Sequence, residues 1–181
     1  MRSISRYLFL IVISCGCGDQ KAREYLIELK EKLDVIETPI VFNSNDTTNF
    51  KLIHFPNNGM LTKLQRENFF LPIGRLASND EILVIIGGIP SDSGAPILIT
   101  IDRKGNEIDR LILYPSAGFD IGYHCSNYVK INSDNSILII DSLLTRKVNK
   151  DKTEEVEGTD SLVVTRSRFR LTPEGRIERV E

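Results

Sequence analysis

Residues 76 to 88, LASNDEILVIIGG, and residues 131 to 142, INSDNSILIIDS, decide the fold. Each is a strand end, a polar turn, then a run rich in isoleucine and leucine. Aliphatic runs of this length, bounded by Asn, Asp, Ser and Gly, read as strands joined by tight turns. A second pair follows downstream: ITIDRKGNEI at 99 to 108 and FRLTPEGRIE at 169 to 178. Asp102-Arg103-Lys104-Gly105 and Thr172-Pro173-Glu174-Gly175 each suit a type I turn followed by a glycine in the left-handed region, the three-residue hairpin loop. Pro173 fits the first central position because its φ is already near the required value. The interval from Gly105 to Gly175 exceeds that from Ile82 to Ile137 by the length of one charged insert, RKVNKDKTEEVEGTD at 146 to 160. The chain therefore reads as two similar antiparallel units, the second carrying the insert.

Working outward, further runs mark strands near 50 to 55, 69 to 77, 82 to 87, 97 to 102, 107 to 114, 128 to 132, 137 to 141, 162 to 171 and 176 to 180. The clusters NSNDTTN at 43 to 49 and PNNG at 56 to 59 read as loops. No helical pattern interrupts the strands for long, which argues against a βαβ parallel sheet. Upstream, KAREYLIELKEKLDVI at 21 to 36 places Ala22, Tyr25, Leu26, Leu29, Leu33 and Ile36 at intervals of three and four. This predicts one amphipathic helix, ended before Pro39, that packs on the domain. Glu28 lies four residues before Lys32, a favourable spacing for an ion pair. The expected fold is mainly β: an antiparallel meander of two four-stranded units in a curved or two-layer sheet, with one N-terminal helix. Each unit resembles a β-propeller blade, although two blades are too few to close a propeller.

The N-terminus, MRSISRYLFLIVISCGC, has Arg2 and Arg6 ahead of an unbroken apolar run from Tyr7 to Ile13. That is the layout of a secretory signal, and the run is far shorter than the roughly twenty residues that span a bilayer. Val12-Ile13-Ser14-Cys15 resembles the lipobox of bacterial lipoproteins, with Ile13 a departure from the small residues usual at its position. The resemblance implies removal of residues 1 to 14, lipidation of Cys15 (Cys17 being the alternative) and a short tether at 15 to 20. A single β-rich domain over 21 to 181 follows. Gly16, rather than aspartate, after the cysteine implies the outer membrane over the inner one. Lipid chains stabilise attachment by about 0.8 kcal/mol per buried methylene.

The whole chain carries a formal charge of −2, and loss of Arg2 and Arg6 makes the mature domain more acidic. This gives no support for nucleic-acid binding, which needs a basic domain or patch. The three cysteines, Cys15, Cys17 and Cys125, include no CxxC pair. With only His54 and His124 beside them there is no zinc spacing, so no metal and no cofactor is expected.

The segment SAGFDIGYHCSNY at 116 to 128 gathers Asp120, His124, Cys125 and Tyr128. A histidine can activate a thiol, but neighbours on a strand point to opposite faces. The loop GGIPSDSGAP at 87 to 96 lacks the lysine of a P-loop, and Ser91 and Ser93 lack a GxSxG setting. Arg166, Arg168 and Arg170 alternate, which puts all three on one face; such a stripe can clamp carboxylates or phosphates. The simpler expectation is a solvated face with cross-strand acidic partners such as Glu178. The insert at 146 to 160 is expected as a solvated, mobile hairpin tip.

These features point to a non-enzymatic binding domain in the cell envelope, held to a membrane through lipid and meeting an envelope protein or glycan. Its candidate binding residues are Arg166, Arg168, Arg170, Asp120 and His124, and no catalytic residue is assigned. The alternatives are a periplasmic inhibitor or immunity protein, and a hydrolase with a site near His124.

Overall fold

The computed structural model describes residues 16 to 45, 71 to 76, 79 to 89, 95 to 116 and 118 to 180. It is mainly β. One helix, α1 (Gly16–Lys32), is followed by β1 (Ile40–Asn43), β2 (Leu71–Arg75), β3 (Ile82–Ile89), β4 (Ala95–Asp102) and β5 (Glu107–Ile112). Then come β6 (Gly118–Asp120), β7 (Tyr123–Ile131), β8 (Ser136–Thr145), β9 (Ser161–Leu171) and β10 (Ile177–Arg179). The strand expected at 50 to 55 lies outside the described residues.

Both expected units form. Strands β2-β3-β4-β5 make one four-stranded antiparallel sheet, and β7-β8-β9-β10 make the meander of the second, which β1 and β6 extend by pairing with β7. The two hairpin loops have the same geometry. Gly105 and Gly175 sit at φ 78° and 81°, and their N–H groups donate to Asp102 O at 2.9 Å and Thr172 O at 3.0 Å. A third loop repeats the pattern with Asn135 at φ 64° donating to Asn132 O at 3.1 Å. Asparagine is the non-glycine residue that best tolerates this conformation.

The four-stranded sheet is buried on both faces. Leu83, Ile85, Ile97, Ile99 and Ile101 pack against Leu26, Leu29 and Leu33 of α1. Val84, Ile86 and Leu98, pointing the other way, pack against Phe42, Val129, Ile131, Ile137, Ile139 and Leu171 of the larger sheet. This explains why the β3 and β4 sequences run apolar at nearly every position instead of alternating. The result is three layers: helix, four-stranded sheet, six-stranded sheet. Thr100, fully buried between strands, donates to Gly175 O at 2.6 Å. Ile177 N–H donates to Asp109 Oδ2 at 2.9 Å, and the Arg176 guanidinium to Ile108 O at 3.0 Å. These bonds fasten the β9–β10 turn onto β4 and β5.

Several boundaries differ from expectation, each for a local reason. The described helix already includes Gly16, ahead of Lys21, so residues 16 to 20 of the tether expected at 15 to 20 form its first turns. It ends at Lys32, not Ile36, because Arg75 of β2 donates through Nε to the carbonyls of Lys30 at 3.0 Å and Leu33 at 3.2 Å. The chain then runs beside β2, with Ile36 N–H on Arg75 O at 2.8 Å and Arg75 N–H on Asp34 O at 2.9 Å. Gly74 permits this approach, since a Cβ there would lie 2.8 Å from Asp34 O. Strand β1 was not expected; Ile40-Val41-Phe42 is short, and only Phe42 is buried. Strands β7 and β8 are longer than expected at the ends that carry Ser126, Asn127 and Ser142.

The docking of α1 rests on its leucine stripe. Leu29→Ala is expected to lower unfolding free energy by about 2–5 kcal/mol, whereas Ile27→Ala, at a position 48% exposed, changes it by less than about 0.5 kcal/mol. Urea titration of both variants reads the difference.

Candidate functional site

The outer face of the six-stranded sheet is set by register. Tyr128, Ile140 and Arg166 stand side by side across β7, β8 and β9, as do Lys130, Leu138 and Arg168. Ser136, Arg170 and Glu178 form the next row. Toward the opposite end, Phe119, His124, Leu144 and Leu162 form one continuous row across four strands. None of these side chains belongs to either core cluster.

The face therefore combines a cationic stripe with aliphatic and aromatic rows. Arg166, Arg168 and Arg170 are all exposed, and Phe119 is 86% exposed. The acidic neighbour expected for the stripe is present, with Glu178 directly opposite Arg170. Asp134 also lies within the field of Arg170. Its carboxyl is held below the ordinary range mainly by hydrogen bonds from Ser136, with a smaller contribution from the Arg170 charge.

The inner face carries a different constellation. Cys125 is buried, and its thiol donates to Asp141 Oδ1 at 2.9 Å. Asn127 Nδ2 donates to the same oxygen at 3.1 Å, and the Ser116 hydroxyl donates to Oδ2 at 2.7 Å. Tyr123 completes the group by donating to Ser116 O at 3.1 Å. Asn127 Oδ1 is buried without a partner. Burial first, and then the bond to Asp141, push the Cys125 thiol above its ordinary range. A thiol so held is protonated at neutral pH, and the thiolate is the nucleophile.

His124 and Cys125 fall on opposite faces, since Cys125 stands opposite Leu143 on the inner side and His124 opposite Leu144 on the outer. They cannot exchange a proton. Asp120 pairs with Tyr123 in register, and its Oδ1 accepts from the N–H of Ile121 at 2.7 Å. It shapes the β6–β7 turn. Among the described residues no three His, Cys, Asp or Glu side chains gather into a metal-ligand set.

The insert at 146 to 160 folds as a hairpin tip with an isolated bridge between Val148 and Glu155. Arg146 organises it, bonding Asp160 through Nε and Glu155 through Nη1, the latter at 2.7 Å. Glu155 Oε1 also accepts from Gly122 N–H at 3.0 Å. These contacts hold the Glu155 carboxyl below its usual range, Arg146 contributing most, and raise the Arg146 pKa. Gly122, at φ 76°, allows this closeness, because a Cβ would lie 2.7 Å from Arg146 O. Between tip and turn lies an open pocket of about 450 Å³, with Phe119, Tyr123, His124 and Leu144 among its walls.

Sequence reasoning found the arginine stripe and missed the Phe119-to-Leu162 row and the Asp141 cluster. Both depend on register between distant strands, and no local spacing encodes that. Cys15, Ser91 and Ser93 lie outside the described residues, while Cys17 falls in the first turn of α1.

The raised thiol predicts slow chemistry. Iodoacetamide is expected to label the buried Cys125 in the folded protein more slowly at pH 8 than the same thiol in the urea-unfolded chain. The rate should climb only at more alkaline pH, and Asp141→Asn should speed it; mass spectrometry of the Cys125 peptide reads both. Compared with protein-family models, curated proteins and solved structures, the chain matches none.

Proposed function

We propose that this chain is a lipid-anchored binding domain of a bacterial cell envelope, attached through Cys15 and meeting an envelope partner with the outer face of its six-stranded sheet. The observation that carries the reading is the pairing of three exposed guanidinium groups on β9 with the neighbouring row of Leu138 and Ile140. Charge-assisted bonds from arginine suit carboxylate or sulfate groups of a protein or glycan. The adjoining aliphatic surface supplies burial once water is displaced.

The anchor is supported by the lipobox-like Val12-Ile13-Ser14-Cys15, and by the same resemblance Gly16 favours the outer membrane over the inner one. Among the described residues no helix is long and apolar enough to cross a membrane. The protonated Cys125, turned away from His124, favours recognition over thiol catalysis.

Two measurements check the two halves of the proposal. Radioactive palmitate is expected to label the wild type and not Cys15→Ala; unchanged labelling moves the modification to Cys17. A photoreactive residue replacing Leu138 is expected to capture a partner in intact cells. The combined Arg166→Ala, Arg168→Ala and Arg170→Ala change should weaken that partner's binding by at least about tenfold, equivalent to about 1.4 kcal/mol. An undiminished adduct would remove this face from the proposal.

A further inference from the structure

The far half of β9 has a partner on one side only. β8 pairs with it along Ser161 to Arg170, whereas β10 reaches only Phe169, Arg170 and Leu171. The last bond on that side is from Val180 N–H to Arg168 O, at 2.8 Å. Among the described residues nothing pairs with the other edge of Ser161 to Ser167. Leu162, Val163 and Val164 are 63%, 55% and 47% exposed.

The Arg168 bond also fixes which backbone groups are free. N–H and C=O groups of successive strand residues point to alternate sides. Since Arg168 points away from β8, so do Leu162, Val164 and Arg166. Natural proteins blunt exposed edges with lysine, proline, a bulge or a covering loop. The stretch SLVVTRS contains neither lysine nor proline, Arg166 is its one charged side chain, and its register with β8 runs without a shift. An aliphatic edge left this way is a template for another strand.

We infer that two copies of this chain pair through this edge, antiparallel, about a two-fold axis at Val164. The free run extends from Ser161 to Ser167, and Val164 is its midpoint. Val164 is also one of the residues whose backbone groups face outward. A symmetric partner strand therefore matches it residue for residue: Val164 opposite the partner's Val164, and Leu162 opposite the partner's Arg166. All three outward-facing residues on each strand gain backbone hydrogen bonds. No arginine faces an arginine directly, so the like-charge penalty of a mismatched register is absent. The pairing joins the two large sheets into one, and places both arginine stripes on a common face.

Cysteine pairing in the full chain, extracted from membranes in detergent, tests the register. Opposed hydrogen-bonded residues have Cα atoms about 5.5 Å apart, within disulfide range. Val164→Cys should give a disulfide-linked dimer on mild oxidation. Leu162→Cys should stay at the wild-type level set by the native cysteines, because its two copies lie roughly 14 Å apart on extended strands. Leu162→Cys combined with Arg166→Cys should cross-link again. Light scattering should report a dimer for the wild type and a monomer for Val164→Lys; Val164→Pro, which removes only an outward-facing N–H, is the second variant should lysine impair folding. A monomeric wild type, equal cross-linking at 162 and 164, or a Val164→Cys adduct with a different polypeptide would overturn the inference.

Discussion

Everything in this molecule depends on a four-stranded sheet that is apolar on both sides. Ile82 to Ile86 and Ile97 to Ile101 leave almost no position for solvent. Alternation sends Leu83, Ile85, Ile97, Ile99 and Ile101 one way and Val84, Ile86 and Leu98 the other. Each fully buried aliphatic side chain contributes about 1.5–3 kcal/mol when covered, and both faces must be covered for the sheet to persist in water. The helix closes one face with three leucines; the second sheet closes the other. The outer face of that second sheet is thereby left as the broad surface for recognition.

The layers are held in relative position by polar bonds at one edge rather than by the apolar core alone. Thr100 is buried within an aliphatic strand, where an unpaired hydroxyl would cost about 1–3 kcal/mol. It is satisfied by Gly175 O and, more weakly, by Asp109 O. Gly175 itself packs near Ile82 and Ile108 with little room for a side chain. The turn glycine that makes the hairpin therefore also makes the joint between sheets. One residue serves both a local and a tertiary demand.

Much of the architecture was legible because its signals are local. Turn chemistry at 102 to 105 and 172 to 175 fixed two hairpins, and the apolar runs fixed the strands between them. The leucine spacing at 26, 29 and 33 marked the helix face. What was not legible depended on contacts far apart in sequence. The helix stops at Lys32 because Arg75 caps it from 45 residues away along the chain. β1 is a strand because β7 pairs with it, not because four residues encode it. The arginine stripe could be read from alternation alone. The row from Phe119 to Leu162 could not, since it exists only once four strands are in register.

The charged insert explains why the two meanders differ where function is expected. In the first, β5 pairs with β4 from Ile97 through Ile101, so nearly the whole strand is covered. In the second, β9 is eleven residues long and β10 only three. The fifteen extra residues at 146 to 160 lie between β8 and β9, and the hairpin they cap extends both strands past the reach of β10. Arg146, Glu155 and Asp160 then stabilise the tip by charge, which needs no apolar layer beneath it. An extension built this way leaves aliphatic Leu162, Val163 and Val164 exposed, with β8 on one side and no described strand on the other. The departure from the first meander thus creates, among the described residues, a long open edge on β9, three strands across the sheet from the exposed Phe119.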